Sequence, residues 1–181
     1  MTIKCSVFIA TSLDGFIARK DGELDWLPGS DGSTGGEDLG YEQFIATVDT
    51  LVMGRNTYEL VLSFGAWPYP DKRVVVLSAR YSGELRPLAE GVEGTSLSPP
   101  ELVDRLARRG ARHLYVDGGK TIQSFLKAGL IDEMTITRVP VLIGDGIPLF
   151  GSLEGDIRLL HRSTRAYESG MVQSRYEVAS R

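Results

Sequence analysis

The chain has 181 residues, which at ~150 residues per domain is about one domain with a modest extension. Its 42% hydrophobic and 24% charged residues exclude disorder and collagen-like structure, and a formal net charge of −4 excludes the basic footprint of a nucleic-acid-binding domain. The first apolar run, Val7 to Ala10, is too short for a signal-peptide core, and no stretch approaches the ~18–20 apolar residues of a membrane span, so a cytoplasmic protein is expected, with neither nucleic acid nor membrane as partner.

In chain order, the β-branched run Ile3 to Thr11 predicts a buried strand closed by the turn Ser12-Leu13-Asp14-Gly15. The single cysteine, Cys5, lies inside that run and reads as a small core residue. From Asp21 to Gly36 the chain is rich in glycine and lacks periodicity, which predicts a long lid or binding loop, or a disordered segment. Tyr41, Phe44, Ile45 and Val48 fall at i, i+3, i+4 and i+7, the stripe of an amphipathic helix. Thr50 to Met53 is a second strand, and the spacing of Asn56 and Glu59 predicts a capping box just after Gly54-Arg55.

Arg73 to Leu77 is a Val-rich strand of the kind covered on both faces. Ser98-Pro99-Pro100-Glu101 combines a capping box with proline at the first helical position, and Gly110 closes that helix. The strand His113 to Val116 leads through Asp117-Gly118-Gly119-Lys120-Thr121 into a helix ending near Gly129. Met134 to Thr137 and Val139 to Ile143 read as strand material split by Pro140, followed by a turn-rich loop over Gly144 to Pro148. Ile157 to Tyr167 and Met171 to Val178 flank Glu168-Ser169-Gly170 as an antiparallel hairpin. The alternation predicts one α/β domain over residues 1–181, with a mainly parallel central sheet and a C-terminal antiparallel hairpin.

Two strand-glycine-helix junctions carry the chemistry. In an open α/β sheet, ligands bind beyond the carboxyl ends of the strands, where helix N-termini present unpaired N–H groups. Gly54-Arg55-Asn56-Thr57 offers close backbone approach, a hydroxyl and a guanidinium able to grip a phosphate. Gly118-Gly119-Lys120-Thr121 offers a second nest of backbone donors with a lysine at its edge. Two anion cradles suit a dinucleotide, although a tight turn and a surface-paired Arg55 are the structural alternatives. Neither junction matches the Rossmann or P-loop pattern. His113 and His161 stand alone, so no metal site is expected.

Met53-Gly54-Arg55-Asn56-Thr57-Tyr58-Glu59 resembles the cofactor motif of dihydrofolate reductases. Gly118-Gly119 through Phe125-Leu126, Gly129 to Glu133, Pro140 to Gly144 and Gly146 to Phe150 resemble the reductase domain of the bifunctional riboflavin-biosynthesis deaminase-reductase, as does Ser12 to Ala18. The resemblance spans nearly the whole chain in order. It implies a three-layer dihydrofolate reductase-like fold that binds NADPH, with Arg55 near the 2′-phosphate and Gly54, Asn56, Thr57, Gly118, Gly119, Lys120 and Thr121 around the phosphates.

By the same resemblance Ser78 and Arg80 lie beside the adenosine phosphate, where Arg80 is alternatively a solvated turn residue, and Ala10, Ile17 and Ala18 flank the nicotinamide. Asp38 matches the place of the acid that serves as proton source, or caps the helix that follows; Asp14 is a substrate contact or a turn former. Trp26 stacks on substrate or packs in the fold.

Tyr41 to Val48 contains neither the His nor the Arg that riboflavin reductase domains carry there for the ribosyl phosphate, and no counterpart of the arginine for the folate tail is identified. The chain begins at the reductase strand, so no deaminase domain is expected. The expected activity is hydride transfer from NADPH to a pteridine- or pyrimidine-type substrate, most like 5-amino-6-(5-phosphoribosylamino)uracil reductase. Dihydrofolate reductase and a non-catalytic nucleotide-binding protein are the alternatives, and the resemblance implies a homodimer.

Overall fold

The structure is a computed structural model that describes residues 3–29 and 38–179. In chain order the elements are β1 (Lys4–Ser12), β2 (Phe16–Ala18), α1 (Tyr41–Thr47), β3 (Thr50–Gly54), α2 (Arg55–Ser63), β4 (Arg73–Leu77), β5 (Arg86–Ala89), β6 (Val92–Thr95), α3 (Pro99–Arg108), β7 (His113–Asp117), α4 (Gly119–Lys127), β8 (Glu133–Val139), β9 (Ile147–Pro148), β10 (Leu159–Ala166) and β11 (Val172–Val178). Nine strands make one sheet in the order β10-β11-β8-β1-β7-β3-β4-β6-β5. The six strands from β8 to β6 run parallel. Antiparallel strands finish both edges, β5 on β6 and the β10–β11 hairpin on β8. β2 and β9 pair separately. The mainly parallel α/β sheet with its C-terminal hairpin is the architecture expected from the sequence.

Side chains alternate between the two faces of a strand, which gives this sheet two cores. On one face Leu102 and Leu106 of α3 and Ile122, Phe125 and Leu126 of α4 pack on Cys5, Val7, Val52, Leu114, Val116 and Met134. On the other, α1 and α2 cover Leu51, Met53, Val74, Val76 and Tyr115. Leu51 to Met53 and Val74 to Val76 are fully buried, which explains their unbroken apolar runs. Each such side chain contributes roughly 1.5–3 kcal/mol through burial. Among the described residues no helix is long and apolar enough to cross a membrane.

The capping box at Ser98 and Glu101 forms as predicted, with Ser98 N–H donating to the Glu101 carboxylate at 2.9 Å. The one predicted at Asn56 and Glu59 does not. Gly54 is extended and passes directly into α2, which starts at Arg55, so Asn56 is already inside the first turn and beyond capping reach. Glu59 instead accepts from Arg55, one turn back, at 2.6 Å. Val139 to Ile143 is likewise not a separate strand. Pro140 lacks an N–H for the ladder and β8 ends at Val139. The predicted loop 21–36 falls partly outside the described residues; its first part is folded on itself by an Arg19–Asp25 clasp and by Gly22 N–H donating to Arg19 C=O.

Candidate functional site

β3 and β7 are neighbours, with Met53 opposite Asp117, so α2 and α4 start side by side at the carboxyl edge of the sheet. Their first turns interlock. A β-carbon at Gly118 would lie 2.5 Å from Thr57 Oγ1, and one at Gly54 would lie 3.1 Å from Thr121 Oγ1. The threonine of each helix therefore occupies the space that the other's glycine leaves open. Gly118 also has φ +89, a conformation that glycine adopts freely. Neither helix start carries a side-chain cap, so the N–H groups of both first turns face the edge together, a paired anion cradle.

The β2–β9 ribbon closes this cradle from a third side. A β-carbon at Gly119 would meet Ile17 Cδ1 at 3.0 Å and Pro148 C=O at 3.2 Å, and one at Gly146 would run into Ala18 C=O. Ile17 thus sits beside Gly119, and Ala18 beside Gly146. Ala10, in β1, is in register with Thr137 of β8 near the same edge. Ser78 follows β4 and its hydroxyl accepts from Arg80 N–H at 3.3 Å, while Asn56, Arg80 and Lys120 are exposed around the rim. Arg55 is held by Glu59. That pair lies on the surface and is worth only about 0.3–0.5 kcal/mol.

Two of the candidate acids have structural employment. Asp38 is exposed and caps α1, its carboxylate accepting from Gly40 N–H at 3.1 Å and Glu42 N–H at 3.0 Å. Asp14 ties the β1–β2 turn to the loop after β8, accepting from Gly144 N–H at 2.8 Å and Ile143 N–H at 3.3 Å. The Ser12 hydroxyl and these amides hold its carboxyl below the usual range. Trp26 is half-buried, and its indole Nε1 has no hydrogen-bond partner among the described residues.

Asp117 was treated in the sequence only as the lead-in to a glycine turn. It lies between the two junctions, partly exposed, with Oδ1 accepting from Gly118 N–H at 2.8 Å. Burial of the carboxyl pushes its pKa up to about 6. Its charge is felt by Tyr41, Tyr69 and Tyr115, and burial together with that charge raises all three phenols. Tyr41 and Tyr69 share a hydrogen bond, and Tyr115 donates to Phe8 C=O at 2.9 Å. The rings of Phe8, Tyr41, Phe44 and Tyr115 pack edge to face and in a stack under α1. The signal available in the sequence was an acid at the last position of an otherwise buried apolar strand, directly before Gly-Gly.

Among the described residues no cluster of His, Cys, Asp and Glu is arranged to hold a metal. Cys5 is buried, and burial pushes its thiol up to about 12, which rules it out as a nucleophile. His113 is engaged at the opposite end of the sheet, bonded to Ser6 Oγ at 2.7 Å and to Thr47 C=O at 3.1 Å.

The sequence profile of the RibD C-terminal domain matches residues 4–173. Uncharacterized protein YwjB of Bacillus subtilis (strain 168) is 36% identical over 173 residues, covering 92% of this chain and 94% of its own. A crystal structure from Shewanella sp. PV-4, described as a riboflavin biosynthesis protein, is 41% identical with a TM-score of 0.87, covering 98% of this chain and 100% of its own. A dihydrofolate reductase from Enterococcus faecalis complexed with NADP(H) is 19% identical with a TM-score of 0.66, covering 98% of this chain and 97% of its own, and shares the fold. The chain belongs to the RibD C-terminal domain family, built on the dihydrofolate reductase-like fold.

Proposed function

We propose that the protein is an NADPH-dependent reductase of a pteridine- or pyrimidine-type heterocycle, most like 5-amino-6-(5-phosphoribosylamino)uracil reductase in its chemistry. The observation that carries this reading is the reciprocal Gly–Thr lock of α2 and α4 directly beside the buried carboxyl of Asp117. The cradle fits a pyrophosphate: two uncapped helix starts, backbone approach kept open by Gly54, Gly118 and Gly119, and hydroxyls from Thr57 and Thr121. Arg55, Asn56, Ser78, Arg80 and Lys120 line the rim where a 2′-phosphate needs cations and donors.

When bound, the nicotinamide supplies the hydride, and the protein supplies orientation and exclusion of water. Ala10, Ile17 and Ala18 provide apolar walls for that exclusion. Asp117 holds the proton that accompanies hydride addition to a C=N bond, because a carboxyl near 6 is partly protonated around neutral pH and returns to that state readily. Tyr41, half-buried against the buried Tyr115, gives this side an aromatic, uncharged surface suited to a planar ring. Asp38 keeps its second role as the cap that sets the start of α1.

The test is a parallel titration with NADPH and NADH, following tryptophan fluorescence. Micromolar NADPH binding with much weaker NADH binding is the expected result and opens a screen of aminopyrimidines and pterins for NADPH oxidation. Failure to bind either dinucleotide would return the two junctions to ordinary turns.

A further inference from the structure

The C-terminal hairpin ties one side chain to the backbone just before α1. Gln173 of β11 is in register with Thr137 of β8, and Thr137 with Ala10 of β1, so these three form one row across the sheet. From that row the Gln173 amide uses both of its protons and its oxygen. Nε2 donates to Leu39 C=O at 2.9 Å and to Thr137 Oγ1 at 3.0 Å, while Oε1 accepts from Tyr167 O–H at 3.4 Å. Thr137 is buried and Gln173 half-buried, so the fork is sheltered from water.

Its far end grips an unusual piece of backbone. Leu39 has φ +54, alone among the described non-glycine residues in being left-handed, and Gly40 follows at φ +82. Side chains with a β-carbon hold that conformation only where surrounding contacts enforce it. Among the described residues the side-chain hydrogen bond to the Leu39 backbone comes from the Gln173 amide. The two left-handed residues turn the chain sharply between Asp38 and Tyr41. Asp38 then caps the amides of Gly40 and Glu42, and Tyr41 packs edge-on against Phe8 and Tyr115, on the face of β7 that carries Asp117. Leu39 is thus a tether point between the hairpin and the wall of the cleft.

We propose that Gln173 is a positioning residue of the substrate cleft, holding Leu39 left-handed and thereby fixing Tyr41 against Tyr115 on the face of β7 that carries Asp117. The proposal deepens the reductase reading and uses it for the identity of the cleft. Nothing in the two glycine junctions depends on Gln173, so its loss leaves the dinucleotide cradle intact while the aromatic wall loosens and admits water.

The experiment compares the full chain with Gln173→Met, which keeps length and removes both donors, and with Tyr167→Phe, which leaves the donors in place. Expected in Gln173→Met is amide hydrogen exchange about tenfold faster over residues 39–44, the effect of one lost hydrogen bond, with α2 and α4 unchanged. The Asp117 carboxyl, followed by carbon-13 NMR, should titrate lower as water reaches it. Tyr167→Phe should resemble the parent in both. Exchange at residues 39–44 within twofold of the parent, or an unmoved Asp117 titration, overturns the proposal. NADPH binding is measured alongside and should be equal in parent and Gln173→Met. If neither binds NADPH, the reductase reading fails, and the exchange and titration results still decide whether Gln173 holds this wall.

Discussion

Thr57 Oγ1 and the α-carbon of Gly118 face each other across the gap between α2 and α4 so closely that one β-carbon would fill it, at 2.5 Å from the hydroxyl oxygen. The same substitution would also force a side chain to φ +89. Gly118→Ala is therefore expected to cost about 1–3 kcal/mol in stability, because clash and strain add at one position. NADPH affinity should fall more steeply than stability, since the cradle itself must open to relieve the contact. Thermal unfolding and dinucleotide titration on the same preparation check both. Retention of parental melting and affinity would show that the two helix starts are not locked together.

Arg55 lies at the cradle but spends its guanidinium on Glu59. Removing the acid should free the cation. Glu59→Gln is expected to raise NADPH affinity a few-fold, in line with the small worth of an exposed i,i+4 pair. Arg55→Ala should lower it about 10–100-fold, the scale of a charged hydrogen bond, with NADH binding little changed. Opposite responses of the two variants, read by fluorescence titration, mark Arg55 as the 2′-phosphate contact; equal responses would confine the pair to the helix surface.

The junctions were legible in the sequence because everything that makes them is local: a buried apolar run, a glycine, then a helical stripe. The same holds for α3, whose cap and prolines lie within four residues. What was missed depends on distant partners. β2 and β9 are three and two residues long and exist only because Phe16 and Ala18 meet Pro148 and Ile147 far along the chain. β5 and β6 contain Pro87 and Gly94 and are joined through Gly91, which interrupts any strand pattern; Gly94 is required because Tyr81 and Leu88 pack against its bare backbone. The setting of Asp117 was signalled only by its place at the end of an apolar strand before Gly-Gly, since the tyrosines around it come from β7, α1 and the loop before β4. The expected box at Asn56 failed by two residues, because the helix is entered through Gly54.

At the other end of the sheet, Glu133 gathers Lys4 Nζ at 2.7 Å, Arg175 Nη2 at 2.6 Å and Ser6 Oγ at 3.0 Å, and Ser6 bonds His113. Burial pushes the Glu133 carboxyl up, but its three donors outweigh that and hold it at about 2. Its folded pKa lies below the unfolded value of 4.5, so its contribution is complete above 4.5 and is lost as pH falls toward 2, amounting to about 3 kcal/mol at most. Burial, with Lys4, holds His113 below its usual pKa. The unfolded chain takes up that proton first, so His113 also removes stability as pH falls below 6.5. Asp117 acts in the opposite direction. Its folded value of about 6 lies above the unfolded 3.8, so between those limits folding gains as pH falls. Urea unfolding from pH 7 to 2 should therefore show a shallow change above pH 4.5, where His113 and Asp117 oppose each other, and a steep loss below it. Glu133→Gln should abolish most of the steep part.

The assignment of the proton to Asp117 rather than Asp38 separates in a pair of amide variants. Asp117→Asn removes a charge that burial disfavours and keeps the side-chain shape, so stability at pH 7 should hold or rise while NADPH affinity is unchanged. Turnover should drop about 10²–10⁴-fold, the usual weight of a positioned acid, and the pH–rate profile should lose its limb near 6. Asp38→Asn keeps one acceptor oxygen where two amides now bond, so a cap is weakened rather than removed, at about 0.5–1 kcal/mol. Its turnover should stay within several-fold of the parent, with the limb near 6 intact, because the carboxylate is exposed and already occupied by the backbone of α1. A large turnover loss in Asp38→Asn with parental turnover in Asp117→Asn would transfer the role to the helix cap. Equal large losses would mean that the proton passes between both carboxyls, across the wall that carries Tyr41.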